Sequence, residues 1–561
     1  MTGIFKNKIK PLFNNLSIPF KDIKDHRSLI IKNFVCLAII YSISIIAIIR
    51  ANFKYIDDLG RVAAGYAGWS NFSRYTSSFL STFIHGDTYL TDISPLTQLL
   101  AVAILALSST ILLYILIEKK TFSIWGIIAV LPLGLSPYFL ECISYKYDSP
   151  YMALSILASV FPFILYSSGY IFYSIASFIG TIIMCTTYQA ASGIYPMIVV
   201  LLCFIFWNKG KQIKDIFKFL IVSVLSYGIG MLFFRIFLML PAEGYVSNSI
   251  PSISQIIPET IKHLYQYFMQ IITDFKNIWL ILIALMGIAC LYIATRDSTR
   301  KKYFALPAAI ITFGIMALLC FGLYPVLSDP LYDPRAMYGF GAFIALMGVF
   351  IANAIKVYPA KIVCFALSWL FIGFSFTYGN ALSEQINWTN FRVASVIQDL
   401  NDLDVFKTDE IKTVQLDGNI GKSPVINNMP QDYQMLNRLV PTTFGGTDWY
   451  WQQEYFYSYF GLKNVKWDVT KDLTAYDLPV IKDTMYHTIK GNDEYVLIEL
   501  KQKTHKINVI IKIYILLFII KPLLFINCKL ITLYKYIPFF GLCQFILTQN
   551  NITNSSVNRK N

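Results

Sequence analysis

Charge is what this sequence has least of. Only 14% of its 561 residues are Asp, Glu, Lys or Arg, against roughly 25% in ordinary soluble domains. With 56% hydrophobic residues and a mean hydropathy of +0.54, a string of soluble domains is excluded. None of the nine cysteines forms a CxxC pair, and the long polar segment 380–505 has no cysteine. Neither a disulfide framework nor a thiolate metal site is encoded. HExxH, P-loop, GxSxG and Rossmann signatures are all missing, so none of the chemistries they announce is indicated. The N-terminus lacks a cleavable signal pattern: some 28 polar, lysine-rich residues precede the first apolar run, with no small-x-small site after it.

What is present is a series of apolar runs of about 17 to 25 residues, the length that crosses ~30 Å of hydrocarbon. Eleven spans are expected, at about 29–50, 96–117, 122–140, 150–167, 170–187, 190–207, 216–239, 278–295, 304–323, 337–355 and 362–379. The net charge of +14 comes largely from Lys and Arg in short loops. That distribution orients a membrane protein with its N-terminus in the cytoplasm and does not suit nucleic acid.

Between spans 7 and 8, Ile256, Ile257, Ile261, Leu264, Phe268 and Ile271 recur at roughly helical spacing. They predict an amphipathic helix lying on the membrane surface. Residues 380–505 read as a small α+β domain outside, with Tyr495–Leu500 as the second strand of a hairpin turned by Gly491-Asn492. Two further apolar runs in 506–548 are either spans 12 and 13 or, as we favour, a peripheral tail. The expected fold is therefore an all-α polytopic membrane protein of about 11 transmembrane helices, possibly 13. Its parts are a membrane core at 1–379, the α+β segment at 380–505 and an apolar tail at 506–561.

Charged residues where the chain leaves the bilayer are the candidates for chemistry, because acids are expensive there. Asp57-Asp58 follows the first span. One carboxylate can act as general base on a sugar hydroxyl while the other positions the acceptor or a divalent metal. The alternative is a helix cap beside a solvated acid. Lys146, flanked by Tyr145 and Tyr147 and close to Asp148, can hold a phosphate or snorkel in a tyrosine belt. Arg335, after two Asp-Pro steps, can grip a phosphate or pair with Asp329 or Asp333. Arg61 and Arg74 carry the same two readings. The run 443–457, with Trp449 and Trp451, suits sugar stacking, a domain core or an interfacial belt. No ligand spacing forces a metal site, and no cofactor is expected.

Four motifs in order are Tyr55-Ile56-Asp57-Asp58-x-x-Arg61, Gly65-Tyr66-x-Gly68-Trp69, Pro95-Leu96-Thr97-Gln98-Leu99-Leu100 and Ser144-Tyr145-Lys146-Tyr147-Asp148. Together they resemble the Gtr-type glucosyltransferases of O-antigen serotype conversion in enteric bacteria, over approximately residues 25–500. The resemblance implies a GT-C-like enzyme of the bacterial inner membrane. Such an enzyme moves glucose from undecaprenyl-phosphate-glucose to an O-antigen sugar at the periplasmic face. A small flippase and a separate synthase of the lipid-linked glucose are the implied partners. On that reading Asp57 or Asp58 is the base, and Arg61, Lys146 and Arg335 neutralise the departing phosphate. Arg74, Asp148, Trp449 and Trp451 then contact the acceptor or the sugar. A flippase of lipid-linked sugars, or a transferase with another donor or a lipid A acceptor, stays open as an alternative.

Overall fold

The computed structural model describes residues 21–240, 249–403, 411–428, 433–442, 460–462, 465–466, 468 and 470–501. Trp449, Trp451 and the apolar tail 506–561 lie outside the described residues. The protein is mostly helical, with one small sheet near its C-terminal side. Helices α1 (Arg27–Ala51), α2 (Asp57–Ala64), α3 (Tyr75–His85) and α4 (Leu96–Leu116) come first. Next are α5 (Ile124–Leu135), α6 (Pro137–Ser144), α7 (Ser149–Ser168), α8 (Tyr170–Thr187) and α9 (Gln189–Asn208). Then follow α10 (Ile213–Leu238), α11 (Ile256–Asp274), α12 (Asn277–Arg296), α13 (Lys302–Leu319), α14 (Gly339–Asn353) and α15 (Tyr358–Asp402).

Among the described residues nine helices, α1, α4, α7 to α10, α12, α13 and α15, are long and apolar enough to cross a membrane. Helix is the expected answer for such runs, since hydrocarbon offers no partner for a bare backbone N–H or C=O. The other two expected spans depart from a single straight rod. The run at 122–140 breaks into α5 and α6, bent 59° apart. At the break Ser136 is extended (ψ 136°), because the ring of Pro137 excludes the helical region for the residue before it. The run at 337–355 gives α14, only 15 residues long and buried along most of its length.

Helix α15 runs 45 residues, so the boundary expected at residue 379 falls inside a continuous helix. Its last turns carry Val393, Val396 and Leu400 into one core with Val414, Leu416, Ile489, Val496 and Ile498 of the sheet. Leu59 of α2 joins that same core. The sheet therefore buttresses the loop that bears Asp57.

The sheet has strand order β2-β1-β5-β4-β3, with β1 Lys412–Gly418, β2 Val465–Lys466, β3 Val480–Asp483, β4 His487–Gly491 and β5 Tyr495–Leu500. The hairpin expected at its end is present: β4 and β5 pair antiparallel, and Asn492 Oδ1 accepts the turn N–H groups of Glu494 and Tyr495. Strand β1 pairs parallel with both β5 and β2. That pairing joins distant segments, which local sequence does not announce.

Helix α11 forms as expected. His263, Tyr267, Ile271 and Asp274 face the protein, while Ile257, Ile261 and Tyr265 are exposed. Helix α3 turns Ser77 and Ser81 inward and leaves Phe79 and Phe83 exposed. Both helices thus present apolar side chains outward, as surface-lying membrane helices do.

The crossing of α1 and α15 depends on Gly379. A Cβ there would sit 2.4 Å from the Ala47 carbonyl carbon and 2.6 Å from the Ile48 nitrogen, too close for backbone atoms to accommodate. Gly379→Ala should lower the melting temperature in detergent through an overpacking cost of about 1–3 kcal/mol. An unchanged melting curve would show that the two helices cross farther apart.

Candidate active site

The site begins with a turn that sequence alone does not reveal. Ile56, just before α2, has φ 40° and ψ −94°. A β-branched residue pays roughly 1–3 kcal/mol to hold such a conformation, and strain of this kind clusters at functional sites. Here it sets the start of α2, so that Asp57 and Asp58 occupy the helix's first turn. Adjacent helical residues point about 100° apart. The two carboxylates therefore diverge and do different things.

Asp58 turns into the protein and is fully buried. Its Oδ2 accepts the backbone N–H of Tyr55 at 3.0 Å and of Lys146 at 2.9 Å, and Oδ1 faces the N–H of Tyr147 at 3.5 Å. Burial pushes its carboxyl up to about 7, against the pull of the Lys146 N–H and of Arg61. This aspartate staples the first outer loop to the Tyr145–Tyr147 turn. Asp57 instead lines a cavity and, among the described residues, has no hydrogen bond or ion pair. Burial raises its carboxyl above the ordinary range; Arg61, Arg335 and Arg74 pull it down, and Asp148 pushes it up.

That cavity measures ≈ 130 Å³, roughly ten times the ~10–15 Å³ a single water requires. Four of the residues singled out from sequence line it: Asp57, Arg74, Asp148 and Arg335. Each of the two arginines is held differently. Arg335 donates through Nη1 to Glu141 Oε1 at 3.1 Å and to the Tyr145 hydroxyl, and through Nη2 to Asp333 at 2.9 Å. Its backbone N–H reaches Glu141 Oε2 at 2.7 Å. Arg74 lies over the Tyr188 ring, Cζ 4.5 Å from the centroid. Among the described residues its side chain makes no ion pair or hydrogen bond, and its Nε is buried without a partner. A partly buried guanidinium left in this state is prepared for an anion.

The remaining candidates form a layer behind the cavity wall. Arg61 pairs with Asp148 and stacks on Trp69, 4.5 Å from its centroid, while the Trp69 indole also donates to Asp148. Asp148 thus precedes α7 without capping it, its carboxylate being committed to Arg61 and Trp69. The Lys146 ammonium is buried between Asp92 at 2.9 Å and the side-chain oxygen of Asn52. Neither Arg61 nor Lys146 is among the residues lining the cavity. Among the described residues no group of three or more His, Cys, Asp or Glu could hold a metal. Asp58's carboxylate is also occupied by backbone donors.

Glu141 escaped the sequence reading. Its signal was a single carboxylate in the apolar run 131–143, which is a functional hint in a membrane segment. The bend at Ser136 turns α6 and brings this carboxylate against Arg335.

A second, almost wholly apolar chamber of ≈ 260 Å³ adjoins the cavity. Gln189, Phe234, Met239, Tyr324 and Leu327 line both spaces. A polar seat for charge thus shares walls with room for hydrocarbon.

No solved structure matches this chain. It is 27% identical over 449 residues, 75% of its length and 88% of the relative's, to an uncharacterized 55.3 kDa protein encoded in the gtrB 5' region of Salmonella phage P22. The profile of the glucosyl transferase GtrII family matches residues 46–376, a stretch that includes the strained turn, both chambers and every acid and cation of the cavity. The chain therefore belongs to the GtrII glucosyl transferase family.

Proposed function

We propose that this protein is an inner-membrane glucosyltransferase that takes glucose from undecaprenyl-phosphate-glucose and adds it to a sugar of the O-antigen repeat at the periplasmic face. The observation that carries the reading is the pairing of an uncommitted carboxylate, Asp57, with an uncommitted guanidinium, Arg74, in one cavity. The adjoining apolar chamber supports a lipid-linked donor, whose phosphate needs the polar seat and whose prenyl chain needs hydrocarbon walls. The phage relative, encoded beside gtrB, supports the serotype-conversion setting.

In this mechanism Asp57 removes the proton from an acceptor hydroxyl. The oxygen then attacks the anomeric carbon as the carbon–oxygen bond to phosphate breaks, and undecaprenyl phosphate leaves with the electron pair. Arg74 and Arg335 face the charge that develops on the phosphate, where preorganised cations contribute most. Glu141 and Tyr145 hold Arg335 in place. A single displacement inverts the anomeric centre, so a β-linked donor gives an α-linked branch. A flippase and a lipid-linked glucose synthase supply the donor.

The direct test is structural analysis of O-antigen from one host with and without the gene. An added side-branch glucose is expected. An unchanged polysaccharide with a redistributed lipid carrier would indicate flipping instead.

The protonation of Asp57 gives a second test. A base works only when deprotonated, so kcat/KM should fall as pH drops through its carboxyl pKa. Because burial raises that pKa, the acidic limb of the pH–rate profile should have its midpoint above the ~3.9 of a free aspartate. A rate flat down to the free-aspartate range would rule Asp57 out as the base.

A further inference from the structure

Four helices, α4, α9, α12 and α14, end together at Leu116, Asn208, Arg296 and Asn353. Helix α9 starts at Gln189 in the candidate site and climbs ~1.5 Å per residue, so its far end lies on the order of 30 Å away. Between the four ends is a cavity of ≈ 230 Å³, remote from the transfer site. Its inner walls are apolar, with Leu116, Leu201, Ile205, Ile293 and Phe350, and its rim carries charge of both signs.

One buried group in it is unsatisfied. Asn208 is only 7% exposed, and its Nδ2 donates to the Ala294 carbonyl at 3.0 Å, which fixes the orientation of the amide. Among the described residues its Oδ1 is buried without a partner. A buried acceptor of this kind calls for a hydrogen-bond donor, N–H or O–H. Four helix C-termini add partial negative charge around it, which favours a donor that is also a cation. At the rim, Glu118 pairs with Lys209, and Arg296 pairs with Asp297 at 2.6 Å. The Glu118–Lys209 pair is solvent-exposed and weak enough for an incoming zwitterion to exchange into it, whereas Arg296 is held by both Asp297 oxygens and by the Ile355 carbonyl and contributes its charge in place.

We propose that this cavity binds the headgroup of a primary-amine phospholipid of the phosphatidylethanolamine class. Its ammonium donates to Asn208 Oδ1 at the negative helix ends. Its phosphate lies beside Lys209 and Arg296, and its glycerol and upper acyl carbons cover the apolar walls. This assignment is independent of the transfer reaction.

The full chain, purified in detergent, would be titrated with phosphatidylethanolamine, phosphatidylcholine and phosphatidylglycerol, and bound lipid counted by native mass spectrometry. Phosphatidylcholine keeps the charge but has no N–H, and phosphatidylglycerol has no amine. Phosphatidylethanolamine should bind about tenfold more tightly than either, the scale of one charge-assisted hydrogen bond. Asn208→Leu should bring the three lipids within about twofold of one another. Glu118→Gln, a near-isosteric change at a solvent-exposed rim position, should lower the preference by about two- to threefold, which keeps the test valid should Asn208→Leu fold poorly. Equal binding of the three lipids by the unaltered protein, or a preference that survives both substitutions, would overturn the assignment.

Discussion

Asp57→Asn is expected to slow glucosyl transfer by about 10²–10⁴-fold, the usual contribution of a positioned general base, with folded protein recovered at the unaltered level. The expectation rests on how differently the two neighbouring carboxylates are used. Asp57 lines the cavity, and its side chain has no hydrogen bond or ion pair to lose among the described residues, so an isosteric amide removes basicity and little else. Asp58 is already held by two backbone N–H groups. Asp58→Asn sets an amide where a doubly accepting carboxylate was, costing about 1–3 kcal/mol for the buried donor left unpaired. Its effect should appear first in melting temperature and yield. Initial rates of transfer from radiolabelled polyprenyl-phosphate-glucose, alongside melting curves, separate the two. A fully active Asp57→Asn protein would remove the base from the mechanism.

Arg74→Ala should lower kcat by about 10²–10³-fold, the range for removing one preorganised group that faces developing charge. Melting temperature should change little, because the guanidinium has no hydrogen bond or ion pair among the described residues and only its stacking on Tyr188 and Phe72 is lost. Arg74→Lys keeps the charge but not the fork, and should recover part of the rate. Lys146→Met makes the contrast: its ammonium is committed to Asp92 and Asn52, so stability should suffer along with activity. Measuring kcat and donor KM for all three decides the matter. An Arg74→Ala enzyme with both constants unchanged would place the phosphate elsewhere.

The membrane architecture was legible because its cause is local. Hydrocarbon demands long apolar runs with internally bonded backbones, and each of the eleven runs folds as helix. The Asn492 hairpin was equally readable, from a two-residue turn signal. That the last long helix continues past residue 379 was not, because nothing in Asn380–Asp402 stops a helix, and its exposed and buried faces are decided by a sheet formed later in the chain. Asp57-Asp58, Arg74, Asp148 and Arg335 could be named in advance because charge beside hydrocarbon is conspicuous. Their roles could not.

Composition and run length by themselves determined that this chain is a helical membrane protein whose acids and cations gather in a few loops. Which carboxylate faces the cavity, and which arginine is left without an ion pair among the described residues, only the folded chain decided. The physical reason is distance. Asp58 finds its donors at Lys146 and Tyr147, Arg61 finds Asp148, and Arg335 finds Glu141, across separations of 87 to 194 residues. A charge is committed or free according to neighbours that sequence order does not show.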